Sequence, residues 1–172
     1  MAVLGSVPFW LLAVSTTLSG WASDSWISHG GTPTRVRKTF LITGMLMCTL
    51  LLPSAVAADD TVSIALFTLA CFFFGMTTSN HWGVTQTMAG PAAAGKWTGI
   101  QNAFGNLAGV SMPWITGIIV DRTKSFHMAF VLVAVMVVLG AASYGFLVGR
   151  LEPIHWQNAG RQPHTGPPHR GA

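Results

Sequence analysis

Residues 20–38 read GWASDSWISHGGTPTRVRK, and this stretch decides how the rest of the chain is arranged. Its ionised groups are Asp24 and the cluster Arg35, Arg37 and Lys38, and it lies between two long apolar runs. Charges between two hydrophobic runs of membrane-spanning length are typical of a loop at a membrane surface. We therefore predict that residues 21–38 form such a loop, and that the orientation of every other segment follows from it.

The composition is that of a membrane protein. Of the 172 residues, 51% are hydrophobic and 8% are charged, whereas soluble domains carry about 25% charged residues. A bilayer span requires roughly 20 mostly apolar residues, and the uncharged runs that reach this length are 1–23, 39–58, 61–95, 97–120 and 125–149. The predicted fold class is an all-α membrane protein with five transmembrane helices, at about 3–20, 40–57, 62–82, 98–120 and 127–148.

The distribution of basic residues predicts the orientation. If successive spans alternate, the predicted loop, the break near 88–97 and the tail 150–172 share one side and hold seven of the nine Lys and Arg residues. Loops rich in Lys and Arg stay in the cytoplasm. We therefore expect a multi-pass protein of the inner (plasma) membrane, with the N-terminus of the bundle 1–149 outside. The tail, rich in Pro, Gly and His, is predicted to be cytoplasmic and disordered.

Several function classes are disfavoured. The net charge of +4 is spread over the edges of the apolar runs, so no basic patch for nucleic acid is predicted. Neither an H-E-x-x-H nor a G-x-S-x-G motif occurs, so we predict no enzyme and no catalytic residue. Cys48 and Cys71 lack the spacing of a metal or redox site. No metal and no cofactor are therefore predicted.

Polar side chains interrupt the third and fourth predicted spans. The third ends in TSNHW at 78–82, and such residues should face protein or a water-filled cavity, because exposure to lipid is costly. Asn102 and Asn106 are four residues apart and share a helix face, where their amides supply neutral donors and acceptors. The alternative is hydrogen bonding between helices that only holds the bundle together. We expect His81 to be a solvated histidine near the membrane surface.

Two stretches resemble a known family. Residues 20–38 resemble the G-x-x-x-D…R-x-[KR] loop of the major facilitator superfamily, and WASDSWISHGGTPTRVRKTF is similar to its anion:cation symporter branch. GIQNAFGNLAGVSMPWITGIIVDRTKSF, residues 99–126, is similar to the eleventh helix of that branch, and TSNHW to the end of the tenth. The resemblance implies that the five spans form the second-half bundle, helices eight to twelve, of a twelve-helix fold. An external N-terminus fits this reading, in which helices one to seven are missing.

The resemblance also implies a function. Members of this branch take up sugar acids and other small organic anions by alternating access, with a coupling cation, which is expected to be H⁺. The implied partners are the lipid bilayer, the anion, the cation and the missing N-terminal half. The substrate-binding residues implied are Asn106, Asn102, Ser79 and Asn80. The implied conformational latch consists of Gly20, Asp24, Arg35, Arg37 and Lys38.

Other interpretations stay open. The alternative for Asp24 is a solvated loop acid or the cap of a short loop helix. The alternative for the basic cluster beside it is a set of anchors at the membrane surface. No Asp, Glu, Lys or Arg lies well inside any predicted span, so the sequence assigns no proton-coupling step to this chain. The alternative function is a truncated, non-transporting membrane protein with a structural or interaction role.

Overall fold

Helices make up nearly all of the part that the structure, a computed structural model, describes: residues 2–154 and 156. The α-helices are α1 (Ala2–Ser28), α2 (Pro33–Cys48), α3 (Leu51–Val56), α4 (Asp60–Thr123) and α5 (His127–Ala142). A π-helical turn, Ser143–Leu147, follows α5. No strand occurs in these described residues. The predicted all-α class is confirmed.

The connection between α1 and α2 is shorter than the sequence predicts. α1 continues through Gly20 and Asp24 to Ser28, and α2 begins at Pro33, so the predicted loop 21–38 narrows to residues 29–32. Ser28 Oγ donates to the Ser25 carbonyl oxygen at 2.7 Å, which satisfies a carbonyl of the last turn. Pro33 opens α2 at a position where a missing N–H costs nothing. Both helices therefore extend past their apolar runs.

The second predicted span is divided by a tight turn at Thr49 and Leu50. Pro53 has no N–H to offer the Thr49 carbonyl, and the Leu52 N–H donates to that carbonyl instead, at 2.9 Å. Bonds to the third residue back tighten a helix locally, so α2 stops at Cys48 and α3 begins at Leu51.

The long helix α4 folds back on itself at Gly90. This residue has φ 65° and ψ 173°, a backbone conformation essentially restricted to glycine. Residues 81 and 101 of a straight helix would lie roughly 30 Å apart, yet the His81 and Gln101 side chains are hydrogen-bonded. We call residues 60–89 the first arm and residues 91–123 the second arm. The predicted spans 62–82 and 98–120 lie on these two arms, and the predicted break at 88–97 narrows to one residue.

The first arm lies at the centre of the bundle, between α1 and α2. Small residues allow α1 to come close: Ser15 Oγ donates to the Phe72 carbonyl at 2.5 Å. A Cβ on Gly75 would lie 2.5 Å from the Leu12 carbonyl oxygen. On the other side, Leu41 of α2 is fully buried against Val84.

Much of the remaining apolar surface is exposed. Three segments of the described chain are long and apolar enough to cross a membrane, namely Pro33–Val56, Asp60–Thr123 and His127–Leu147. The second has 64 residues, enough for two crossings of about 20 residues each. Large side chains point outward, such as Phe9 at 71% exposed and Trp114 at 70%. The chain is an all-α membrane protein, and the five separate crossings stay a prediction.

Candidate functional site

The structure brings together two of the five predicted latch residues. Asp24 lies near the end of α1 and Arg37 near the start of α2, and Arg37 Nη2 lies 3.0 Å from Asp24 Oδ1. The Arg37 side chain is 15% exposed, whereas that of Asp24 is 69% exposed. The short connection between α1 and α2 places these two charges side by side.

The guanidinium of Arg37 rests on the first arm of α4. A Cβ on Gly83 would overlap the Arg37 guanidinium, so the absence of a side chain at Gly83 makes room for it. Arg37 Nε is buried and has no hydrogen-bond partner among the described residues. The sequence gives no signal for Gly83, because nothing in the motif indicates which helix Arg37 touches.

The other three predicted latch residues do not join this ion pair. Gly20 faces the first arm, where a Cβ would meet Ser79 Cβ at 3.5 Å, an ordinary contact. Arg35 is exposed. Lys38 Nζ donates to the Val148 carbonyl oxygen. Lys38 therefore ties α2 to the end of the helical bundle.

The predicted substrate-binding residues form two pairs in different surroundings. Ser79 Oγ lies 2.9 Å from Ser19 Oγ of α1. Asn80 is fully buried; its Nδ2 donates to the Met76 carbonyl at 3.0 Å, and its Oδ1 has no partner in the described part of the chain. Asn102 and Asn106 are exposed on the second arm, where Asn106 Nδ2 donates to the Asn102 carbonyl at 2.9 Å. The binding role of these four residues stays a prediction.

Residues 102–110 of the second arm are exposed on every side. All nine are exposed in succession, and nine helical residues cover two and a half turns and hence every face. They combine large apolar side chains with the two amides: Phe104 is 70% exposed, Leu107 63% and Val110 74%. Lipid suits the apolar side chains and not the amides.

A polar network links the two arms of α4. His81 Nδ1 lies 2.7 Å from the Tyr144 hydroxyl oxygen, and His81 Nε2 is hydrogen-bonded to Gln101 Nε2. The hydroxyl of Thr85 donates to Gln101 Oε1. The expectation of a solvated His81 is wrong: the ring is half-buried and bonded at both nitrogens, because the fold-back at Gly90 brings Gln101 against it.

These side chains form one wall of a groove between the arms. Its volume is about 630 Å³, and the residues that line it are His81, Thr85, Trp97, Ile100, Gln101, Phe104 and Gly105. The spacing of His81 and Thr85 places them on one helix face. No signal in the sequence pairs them with Gln101.

The first residues of the predicted tail pack against the break in α4. The Ile154 N–H donates to the Met88 carbonyl at 2.8 Å, and Trp156 Nε1 donates to the Ala89 carbonyl at 2.7 Å. These carbonyls end the first arm, where helical partners run out. The Trp156 ring also lies 6.2 Å from that of Trp97. Residues 157–172 of the predicted tail lie outside the described residues.

The sequence matches the Major Facilitator Superfamily over residues 1–170. It is 30% identical to the D-galactonate transporter of Escherichia coli O6:H1, over 87% of this chain and 34% of that protein. It is 31% identical to the probable galactarate/D-glucarate transporter GudP of Bacillus subtilis, over 80% and 30%. It is 33% identical to the voltage-gated purine nucleotide uniporter SLC17A9 of Mus musculus, over 83% and 32%.

The chain spans about a third of the length of these curated relatives. All three are transporters by name, and the prediction that the protein is not an enzyme is confirmed by this membership. The family match covers nearly every residue, including the stretches that carry the resemblance noted in the sequence. On these matches and its helical membrane architecture, the chain belongs to the Major Facilitator Superfamily of membrane transporters.

Proposed function

We propose that this chain is the C-terminal part of a carrier that moves a small sugar-acid-like organic anion across the plasma membrane. The carrier works by alternating access of two halves around a central site, in symport with a cation, which we take to be H⁺. Two of the relatives are named as transporters of galactonate and of galactarate and D-glucarate, which supports this substrate class.

The observation that carries the proposal is the exposure of Asn102 and Asn106 on the second arm. A helix surrounded by lipid on all sides would leave the Asn102 amide and the amide oxygen of Asn106 without hydrogen-bond partners, at a considerable cost. One face of residues 102–110 therefore requires a polar neighbour. In the proposed carrier this neighbour is the substrate, in a cavity that the N-terminal half completes.

The first arm carries the second pair of proposed substrate-binding residues. Asn80 Oδ1 is buried without a partner among the described residues, so it is available to accept a hydrogen bond from a substrate hydroxyl. Ser79 lies next to it, held by Ser19 of α1. For Ser79 to reach a substrate, its hydrogen bond to Ser19 must open.

The proposed latch is centred on Asp24 and Arg37, on the cytoplasmic side. Their ion pair at 3.0 Å fixes the start of α2 relative to the end of α1, with Gly20, Arg35 and Lys38 nearby. In this orientation the N-terminus of the bundle is outside the cell and the tail is inside.

Uptake of labelled D-galactonate tests the proposal. The chain is reconstituted in proteoliposomes, alone and together with the N-terminal half of the Escherichia coli D-galactonate transporter expressed as a separate polypeptide. We expect uptake with both polypeptides, stimulated by an acidic exterior and competed by galactarate. Labelled ATP is the control substrate.

Uptake of ATP without D-galactonate would contradict the substrate class. A rate of D-galactonate uptake that depends on neither pH nor Na⁺ would contradict symport. If neither arrangement moves any labelled anion although both polypeptides insert, the carrier proposal is wrong, and the non-transporting alternative takes its place.

A further inference from the structure

His81 is bonded at both ring nitrogens by groups that can donate as well as accept. The partner of Nδ1 is the Tyr144 hydroxyl, at 2.7 Å, and the partner of Nε2 is the Gln101 side-chain amide. A hydroxyl and a primary amide each contain a donor and an acceptor. Neither partner therefore commits the imidazole to one protonation state.

The neutral ring accounts for every bond in the observed arrangement. Thr85 donates its hydroxyl proton to Gln101 Oε1, which turns the Gln101 NH₂ group toward His81. Nε2 of His81 then accepts from this NH₂ group. The ring proton must lie on Nδ1, from which it is donated to Tyr144.

We propose that His81 is a proton-binding site of this chain, and that rotation of the Gln101 amide transmits its protonation state from the first arm to the second. A hydronium ion that enters the groove from bulk solvent transfers a proton to Nε2 and leaves a water molecule. A new N–H bond forms, and the imidazole becomes an imidazolium. The amide of Gln101 rotates by about 180°, so that Oε1 accepts from the new N–H. Apart from the proton transfer, no covalent bond forms or breaks.

The Thr85 hydroxyl completes the rotated arrangement. After rotation, Gln101 Nε2 donates to Thr85 Oγ1, whose own proton needs another acceptor. The carbonyl oxygen of His81 lies 3.5 Å from Thr85 Oγ1 and supplies one. Both protonation states thus keep the link between the arms, and no donor faces a donor in either.

His81 is well placed to hold the charge that the predicted spans otherwise lack. The first arm contains no Asp, Glu, Lys or Arg between Thr61 and Ala89. Among the described residues that line the groove, no other is ionisable. Tyr144 is the titratable group in direct contact with the ring. Neighbouring elements also bring charged groups to this end of the bundle. They are Arg37 against Gly83 with Asp24 paired to it, Lys38 on the Val148 carbonyl, Lys96 on the second arm, and Arg150 and Glu152.

The consequence for transport depends on the proposed function. An imidazolium in the wall of the groove adds a positive charge on the arm next to the one that carries Asn102 and Asn106. A bound proton and a bound organic anion would then favour each other, because coupling between two sites is reciprocal. Proton binding itself requires no transport.

The test is nitrogen NMR on the full chain in lipid nanodiscs, with ¹⁵N in the histidine rings and the glutamine amides. The His81 signals are assigned by their loss in His81→Asn, and the Gln101 signals by their loss in Gln101→Met. We expect His81 at pH 9 to have one protonated and one unprotonated ring nitrogen. On acidification to pH 5 both become protonated, and the Gln101 amide signals shift with the same midpoint.

Two threonine variants separate this network from general disturbance of the fold. Thr85→Val removes the hydroxyl that bonds Gln101, and we expect the Gln101 signals to stop following the His81 titration. Thr87→Val is the matched control, because Thr87 donates to the Gly83 carbonyl at 2.7 Å and not to Gln101, and it should leave the shared midpoint intact. His29→Asn removes an exposed histidine and should change neither signal.

A His81 ring that keeps one unprotonated nitrogen from pH 9 to pH 5 would overturn the proposal, as would a Gln101 amide that does not follow it. Failure of D-galactonate uptake, with the His81 and Gln101 titration as expected, overturns the proposed function and leaves the proton site in place. Uptake with a pH profile unchanged in His81→Asn, together with a His81 that does not titrate, overturns the proton site and leaves the carrier in place.

Discussion

The guanidinium of Arg37 lies directly against Gly83, so closely that a methyl group on Gly83 would overlap it. The same guanidinium contacts Asp24 at 3.0 Å. Three helices therefore meet at one side chain: α1 through Asp24, α2 through Arg37 itself and the first arm of α4 through Gly83. A change at Gly83 should disturb the ion pair although Gly83 touches no carboxylate.

We predict that Gly83→Ala uncouples Asp24 from Arg37. In the wild-type chain, a double-mutant cycle of Asp24→Asn and Arg37→Gln should give a coupling free energy of about 1 kcal/mol or less, because Asp24 is mostly exposed. In the Gly83→Ala background the coupling should vanish. The measurement is reversible unfolding in mixed detergent micelles, followed by circular dichroism.

Gly95→Ala is the matched control for Gly83, because in the described part of the chain a Cβ on Gly95 would meet no atom within 4 Å beyond its own turn of helix. It should preserve the Asp24–Arg37 coupling. Equal coupling in the Gly83→Ala and wild-type backgrounds would mean that the position of the Arg37 guanidinium does not depend on the space at Gly83.

The fold-back of α4 depends on the conformation of Gly90, and we predict that Gly90→Ala is strongly destabilising. A side chain at φ 65° and ψ 173° costs roughly 1–3 kcal/mol. Gly95→Ala, in helical backbone on the second arm, should be neutral or stabilise by up to about 1 kcal/mol. Unfolding free energies of the two variants check this contrast, and similar values for both would contradict a strained Gly90.

The sequence predicts the membrane class, because uncharged runs as long as 61–95 match the thickness of a bilayer, while the five separate spans stay a prediction. The family resemblance also assigns Asp24 and Arg37 to the same predicted latch, and the two form an ion pair. The sequence does not predict the exact fold-back at Gly90, since glycine and proline in the stretch 88–97 allow several breaks. Helix ends such as Ser28 are missed because polar side chains extend a helix beyond its apolar run.

The candidate site was less predictable than the fold. The link between His81 and Gln101 arises only when the two arms lie side by side, and spacing along the chain does not encode this. The spacing of Asn102 and Asn106 predicts a common helix face, but their neighbours depend on whatever covers residues 102–110. A sequence pattern gives the period of a helix and not its partner.

We predict that Asn80→Leu stabilises the chain and abolishes transport. Asn80 is fully buried and its Oδ1 has no partner in the described part of the chain, and an unsatisfied buried acceptor costs about 1–3 kcal/mol. Leucine has a similar size and removes this cost. The free energy of unfolding should rise, while D-galactonate uptake with the N-terminal half should fall to background.

Ser79→Ala is the comparison for Asn80→Leu, since it removes the bond between Ser79 and Ser19 and should lower stability. A stabilised Asn80→Leu variant that transports normally would assign Asn80 to packing alone. A destabilised one would mean that its oxygen has a partner after all.

The start of α4 should respond to pH through Asp59. The backbone N–H groups of Val62 and Thr61 donate to the Asp59 carboxylate and hold the pKa of this carboxyl below its ordinary value. The folded chain therefore binds fewer protons than the unfolded chain just below pH 4. The stabilisation is fully present above the unfolded pKa and is lost as the pH falls through the folded pKa.

Asn at position 59 separates capping from titration, because asparagine caps a helix and does not ionise. Asp59→Asn should match the wild-type melting temperature at pH 7 more closely than Asp59→Ala does. It should lose less stability than the wild type between pH 5 and pH 3. Asp60→Ala is the control, because it keeps the Asp59 carboxylate. An identical pH dependence of stability in Asp59→Asn, Asp59→Ala and Asp60→Ala would contradict a capping role for the ionised Asp59 side chain.

Asn106→Ala tests the proposed substrate-binding role of the second arm. A hydrogen bond to a charged ligand contributes about 1.5–3 kcal/mol, so its loss should lower uptake of D-galactonate at low substrate concentration roughly tenfold or more. Insertion and stability should not change, because Asn106 is exposed and, among the residues that the structure describes, bonds only the Asn102 carbonyl. Ser111→Ala is the matched control on the same arm, since Ser111 makes a similar bond to the Leu107 carbonyl at 2.8 Å and should transport normally. If both variants lose uptake equally, the second arm acts through its packing, and Asn106 has no contact with the anion.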